Sequence, residues 1–144
     1  MVSHHKKGAI TMAEEAVSIV RRFYEVFNTG DVDASDKVVA EDYDNHAVPG
    51  QKLGLEGFKQ GVRSLRSAFP DLQVTIEEAL AEGDRVATRT LNRGTHRGEF
   101  EGIAATGRPV TFGTQAFFRV ADGKVQEVWV QWDHLGLREQ LGAM

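Results

Sequence analysis

Residues 65–76, Leu65-Arg66-Ser67-Ala68-Phe69-Pro70-Asp71-Leu72-Gln73-Val74-Thr75-Ile76, hold the point at which the hydrophobic period of the chain changes. Upstream, Leu55, Phe58, Val62, Leu65 and Phe69 recur every three or four residues, which is the pattern of a helix with one apolar face. Lys59, Arg63 and Arg66 fall on the face expected to meet water. Pro70 ends this helix, because its ring disfavours the α conformation at the preceding residue. Downstream, Leu72, Val74 and Ile76 alternate with polar residues, the two-residue period of a strand.

Working outward to the N-terminal side, Thr11-Met12-Ala13-Glu14 fits a capping box, followed by Ala16, Val20, Phe23 and Phe27 at helical spacing. Asn28-Thr29-Gly30 stops that helix. A second, shorter helix is expected from Asp33 to about Glu41, and then a short strand from Tyr43 into a Pro49-Gly50 turn. On the C-terminal side, Glu82-Gly83-Asp84 is a turn, Arg85 to His96 a long strand, and Thr106-Gly107-Arg108-Pro109 a loop. Val110 to Val120 and Lys124 to Asp133 are strands joined by Asp122-Gly123, a dipeptide suited to the positive φ of a type I′ hairpin. A short tail follows.

Helices first and strands afterwards imply an α+β fold. Three N-terminal helices are expected to pack against a curved antiparallel sheet, forming a cone-shaped α+β barrel around one pocket. Residues 1–11 read as a flexible leader and 12–144 as a single domain. At 144 residues the chain has the size of one domain and can bury a full core.

The chain has 41% hydrophobic and 26% charged residues and a net charge of −4 with both signs scattered. With no basic stripe there is no case for nucleic acid as a partner. The absence of cysteine removes disulfides, thiolate catalysis and Cys-ligated zinc, and suits a reducing, cytoplasmic location. No apolar run reaches the length that spans a bilayer, so no membrane association is expected. His4 and His5 sit in the leader and read as solvated surface.

The last strand carries the richest set of functional groups. Glu127, Trp129, Gln131 and Asp133 share one parity, and Val128, Val130 and Trp132 the other. The polar face is either simply solvated, with Asp133 capping the next turn, or it lines a partly polar cavity. His46 follows Tyr43-Asp44-Asn45 and offers a proton donor, or a histidine satisfying a turn carbonyl. Asn45 offers a similar donor, but strand alternation argues against both pointing inward. His96 ends a long strand at an expected pocket mouth, and Tyr24 on the first helix can place its hydroxyl in the cavity. Gln131 can hydrogen-bond a substrate oxygen. His46, His96, Asp133 and His134 lack the His-x-His or His-Glu-x-x-His spacing of a metal centre, so no metal is expected.

The stretch Glu99-Phe100-Glu101-Gly102-Ile103-Ala104-Ala105-Thr106-Gly107-Arg108-Pro109-Val110 resembles the SnoaL-like polyketide cyclases. So does the closing run Glu127-Val128-Trp129-Val130-Gln131-Trp132-Asp133-His134-Leu135-Gly136-Leu137, continuing to Gln140-Leu141-Gly142. Gly54-Leu55-Glu56-Gly57-Phe58, Ala68-Phe69-Pro70-Asp71-Leu72, Glu82-Gly83-Asp84-Arg85-Val86 and Gly94-Thr95-His96-Arg97-Gly98 extend the likeness from about Ala13 to Gly142. The resemblance implies the cone-shaped fold of the nuclear transport factor 2 superfamily. It also implies cofactor-free closure of a ring by intramolecular aldol condensation on a small organic substrate.

On this resemblance Asp133 is the general acid–base, expected to be tuned by burial beside Trp129 and Trp132. His46 is the helper, and Tyr24, Asn45, His96, Trp129 and Gln131 are substrate contacts. Some members of the group act as hydroxylation partners, and the fold also hosts hydrolases and non-catalytic binding modules. A homodimer is expected through the outer sheet face, assigned to Val128, Val130 and Trp132.

Overall fold

The computed structural model of the protein describes residues 11–47 and 52–143. The leader therefore lies outside the described residues except for Thr11, and so does the Pro49-Gly50 turn. Helix α1 (Met12–Thr29) starts with the expected capping box: Thr11 Oγ1 accepts from Glu14 N and Glu14 Oε1 from Thr11 N, at 3.0 and 2.9 Å. Gly30, at φ +75°, closes it in the left-handed region, and its N–H donates to the Val26 carbonyl.

The second helix is shorter than the sequence suggests. A 3-10 segment covers only Val32–Lys37, and strand β1 (Val39–Asn45) follows at once. Val38 and Val39 decide this: they are buried at 4% and 0% exposure, and Val125 N–H donates to the Val38 carbonyl at 2.7 Å. Two adjacent β-branched residues in the core pair better as strand than they wind as helix.

Helix α2 (Gly54–Ala68) stops before Pro70 as expected, with Phe58 and Val62 on its buried face. Two of its basic residues do not face water. Lys59 pairs with Asp36 at 2.7 Å, and this hydrogen bond holds its ammonium above the usual lysine range. Arg66 folds onto main-chain carbonyls of Phe27, Asn28, Leu72 and Pro70 at 2.7, 3.1, 3.3 and 2.8 Å. Its guanidinium thus answers carbonyls that the end of α1 leaves without helical partners.

Strands β2 (Gln73–Glu82), β3 (Arg85–Thr95), β4 (Pro109–Ala121) and β5 (Lys124–Trp132) follow, and helix α3 (His134–Gln140) occupies the tail. The five strands are ordered β1-β5-β4-β3-β2. β2 to β5 form an antiparallel meander, but β1 lies parallel to β5, with Val39 opposite Val125 and Asn45 opposite Val128. The fold is α+β as expected, with a mixed rather than wholly antiparallel sheet. Asp122 and Gly123, at φ +54° and +73°, make the tight hairpin between β4 and β5.

One face of the sheet is covered by α1 and α2. Phe23 anchors that interface, with ring centroids 4.9 Å from Phe58 and 5.1 Å from Phe118. Such offset and edge-to-face pairs add to the apolar burial that drives the layers together. The other face is open among the described residues, with Leu80 and Phe117 exposed on it.

Candidate active site

Between the helices and the covered face of the sheet lies a cavity of about 850 Å³. This is the size class of a small-molecule site. Phe23, Tyr24 and Phe27 of α1, Tyr43 of β1 and Phe58 of α2 form one side. The floor is the inner face of β3, β4 and β5, including Thr90, Asn92, Phe112, Thr114, Val128, Val130 and Trp132. Gln60, Arg63, Ser64 and Ser67 of α2 and Glu99, Phe100 and Glu101 of the long β3–β4 connection complete the wall.

The parity of β5 is opposite to the one that would put its polar face inside. Val128, Val130 and Trp132 line the cavity, whereas Trp129 and Gln131 project from the open face. The reason is packing: the helices supply a wall of aromatic rings, and the apolar residues of β5 face it. Polar residues on the other side stay in water.

Asn45 and His46 divide as strand alternation requires. Asn45 lines the cavity, and its Oδ1 accepts from Ala47 N at 2.9 Å. His46 lies across the sheet, stacked on Trp129 at 4.7 Å and 7° and donating from Nε2 to Glu127 at 2.9 Å. Glu127 also receives Arg119, and these two bonds, that of Arg119 first, hold its carboxyl below the usual range. Asp44, His46 and Glu127 are the one His–carboxylate group among the described residues tight enough to hold a cation. With Arg119 already on Glu127, the group is organised as an ion-pair network, remote from the cavity.

Tyr24 lines the cavity and shares a 2.9 Å hydrogen bond with Thr88. Burial pushes its phenol up to about 12, partly offset by Thr88, and burial raises Tyr43 as well. Both phenols therefore stay protonated and do not act as bases. His96 is fully buried instead of standing at a mouth. Its Nδ1 accepts from Thr106 N at 3.1 Å, fixing the proton on Nε2, and its ring packs 5.7 Å from Phe69. That is a structural role within the β3–β4 connection.

Asp133 is exposed, not enclosed by two indoles. It does not itself line the cavity, although Trp132 before it and Leu137 after it do. His134 reaches Glu101 of the wall at 2.6 Å. Asp133 caps α3, with Oδ1 accepting from Gly136 N at 2.9 Å. Its side borders a second, shallower groove with Gln131, Gln115 and Arg89. Thr90, Asn92 and Thr114 escaped the sequence reading. The available signal was the parity of β3, where Thr88, Thr90 and Asn92 share the buried side with Val86.

The SnoaL-like polyketide cyclase family model matches residues 17–141. Aklanonic acid methyl ester cyclase DauD of Streptomyces sp. (strain C5) is 31% identical over 134 residues, covering 88% of this chain and 81% of DauD. The corresponding cyclase DnrD of Streptomyces peucetius is also 31% identical, covering 88% of this chain and 90% of DnrD. The structure of TsrD from Streptomyces laurentii superposes with a TM-score of 0.84 at 30% identity, covering 91% of this chain and 97% of TsrD. With an aromatic-walled cavity of the right size and a match over nearly its whole length, this chain belongs to the SnoaL-like polyketide cyclase family.

Proposed function

We propose that the protein closes a carbocyclic ring in a polyketide-like substrate by cofactor-free intramolecular aldol condensation, with Asp133 as the general acid–base. The observation that carries this reading is the position of Asp133, on the residue that links cavity-lining Trp132 to the helix bearing cavity-lining Leu137. A carboxylate has two oxygens and several lone-pair sites, so accepting the Gly136 amide orients the group without exhausting it.

In the proposed step, Asp133 takes a proton from a substrate carbon flanked by two carbonyl groups. The resulting enolate carbon attacks a second carbonyl carbon of the same molecule, forming one C–C bond. The proton then passes to the new alkoxide oxygen, so no atoms are gained or lost. The aromatic walls hold the reacting ends together, and this proximity supplies much of the rate. The ring system lies inside and the acidic carbon at the rim beside Asp133. Tyr24 and Asn45 line the cavity and offer polar groups to the ring system.

The test is Asp133→Asn with aklanonic acid methyl ester, the compound after which the relatives are named. Asparagine is as good an N-cap as aspartate, so helix α3 and the melting temperature should be kept. Turnover should fall by about 10²-fold or more while ligand affinity persists. Wild-type turnover by Asp133→Asn would remove Asp133 from the mechanism. Glu99 and Glu101 are the carboxylates that line the wall itself, Glu99 accepting from Gly102 N at 2.6 Å and Glu101 from His134 and Arg138. Glu99→Gln and Glu101→Gln are therefore the informative controls.

The same reading includes a homodimer through the open sheet face, by a stripe different from Val128, Val130 and Trp132, which line the cavity. Leu80, Ala87, Phe117 and Trp129 are successive cross-strand neighbours on that face, with Leu80 and Phe117 64% and 62% exposed. One flanking row is Glu82, Arg85, Arg119 and Glu127; the other is Glu78, Arg89, Gln115 and Gln131. An apolar row between rows of mixed sign is complementary to a second copy of itself. No helix among the described residues is long and apolar enough to cross a membrane.

A further inference from the structure

Thr90 is 1% exposed and lines the cavity, yet its Oγ1 has no hydrogen-bond partner. A buried hydroxyl left unpaired is costly, so it marks a place where a partner is expected. Its neighbour on the same side of β3 shows the contrast: Thr88 is satisfied by Tyr24 at 2.9 Å. The unpaired group also stands in polar company. Thr90 is directly opposite Thr114 on β4, and Thr114 is opposite Trp132 on β5. Asn92 donates from Nδ2 to the Phe112 carbonyl at 3.0 Å and to Thr114 Oγ1 at 2.9 Å.

These bonds fix what the cluster still offers. Both Asn92 amide hydrogens are engaged, which leaves that side chain only its acceptor oxygen. Thr114 Oγ1 is an acceptor in its bond with Asn92, so its own hydrogen remains free to donate. Thr90 retains its full hydroxyl capacity, but Oγ1 is itself shielded in this rotamer, so its use by a ligand requires the rotation about χ1 that exchanges Oγ1 and the methyl. Two hydroxyl donors side by side on the sheet match the two lone pairs of a carbonyl oxygen.

We infer that Thr90 and Thr114, held in register by Asn92, form a subsite for a ring carbonyl of the ligand. The Trp132 indole flanks the same cross-strand row. The inference builds on the reading of the cavity as a polyketide cyclase site, and it adds the residues that choose which edge of the ring system faces the sheet. They touch the substrate away from the reacting carbon, so they set affinity and orientation.

The test uses equilibrium binding followed by tryptophan quenching, with two probes of one shape: anthraquinone-2-carboxylate, which has ring carbonyls, and anthracene-2-carboxylate, which does not. The wild-type protein should bind the quinone about tenfold more tightly, the worth of one well-made buried hydrogen bond. Thr90→Val should erase that preference while leaving the melting temperature unchanged or higher, because it removes an unpaired hydroxyl without changing shape. Thr90→Ser should restore it. Equal binding of the two probes by wild type, or a preference that survives in Thr90→Val, overturns the subsite. If the preference is present and lost as expected but no ring closure is ever found, the subsite stands and the cyclase mechanism falls.

Discussion

Asn28 and Val74 are joined by two hydrogen bonds: Val74 N–H donates to Asn28 Oδ1 at 2.6 Å, and Asn28 Nδ2 donates to the Val74 carbonyl at 3.1 Å. Strand β2 is the edge of the sheet, and here a side chain from the end of α1 pairs with its main chain as a neighbouring strand would. Asn28→Ala should destabilise the protein by about 1–3 kcal/mol, because both Val74 groups lose their partner at once. A chemical denaturation curve with an unchanged slope and a lower midpoint is the expected result.

Gly98 governs how the β3–β4 connection sits on α2. The Arg97 and Gly98 amides both donate to the Ala68 carbonyl, at 2.9 and 3.1 Å, and a methyl at Gly98 would overlap the main-chain oxygen of Ser67. Gly98→Ala should therefore cost about 1–3 kcal/mol of stability. It should also weaken substrate binding, since Glu99 to Glu101 form part of the cavity wall. Thermal melting and kcat/KM are the measurements, and a variant unchanged in both would contradict this account of the connection.

Phe117→Glu places a charge in the apolar stripe of the open face. It should convert a dimer of micromolar stability or better to a monomer, read by light scattering at two protein concentrations. Because the Phe117 side chain is mostly exposed in the single chain, the melting temperature at high dilution should hardly move. A wild-type protein that is monomeric at all concentrations would remove the dimer from the proposal.

Acid should weaken the fold in part through Asp71. Its carboxylate accepts from the Thr95 hydroxyl and the Thr95 N–H, both at 2.7 Å, and these bonds hold its carboxyl below the usual range. The native state therefore binds fewer protons than the unfolded chain in that window. The contribution is complete above the unfolded value of about 4 and is lost as pH falls through the lower folded value. Glu127, lowered by Arg119 and His46, acts in the same direction. The melting temperature of Asp71→Asn should depend less steeply on pH below about 5 than that of wild type; parallel curves would exclude this role.

What the sequence disclosed follows from how local each signal is. The Thr11–Glu14 capping box, the stop at Pro70 and the Asp122-Gly123 hairpin involve neighbours in the chain, and all three appear in the structure. The face of β5 was not decided that way. Alternation reveals that two faces differ, but which one meets the helices depends on elements far away. Helical spacing likewise puts Lys59 and Arg66 on the water side, because their partners Asp36 and the Phe27 carbonyl come from other elements. Of the candidate site, Tyr24 and Asn45 were legible and line the cavity, whereas Asp133 borders the second groove. His46, Trp129 and Gln131 lie across the sheet, and the Thr90 group emerges only when the strands are in register.

The parallel pairing of β1 with β5 constrains the order of assembly. β1 belongs to the first third of the chain, yet its strand partner is the last one synthesised. On a ribosome, Val39 and its neighbours must wait, solvated or loosely held by α1, until Val125 has emerged. Such long-range closure slows folding relative to a chain built from local contacts. A truncation before β5 would therefore remove a strand from one end of the sequence and orphan another near the opposite end.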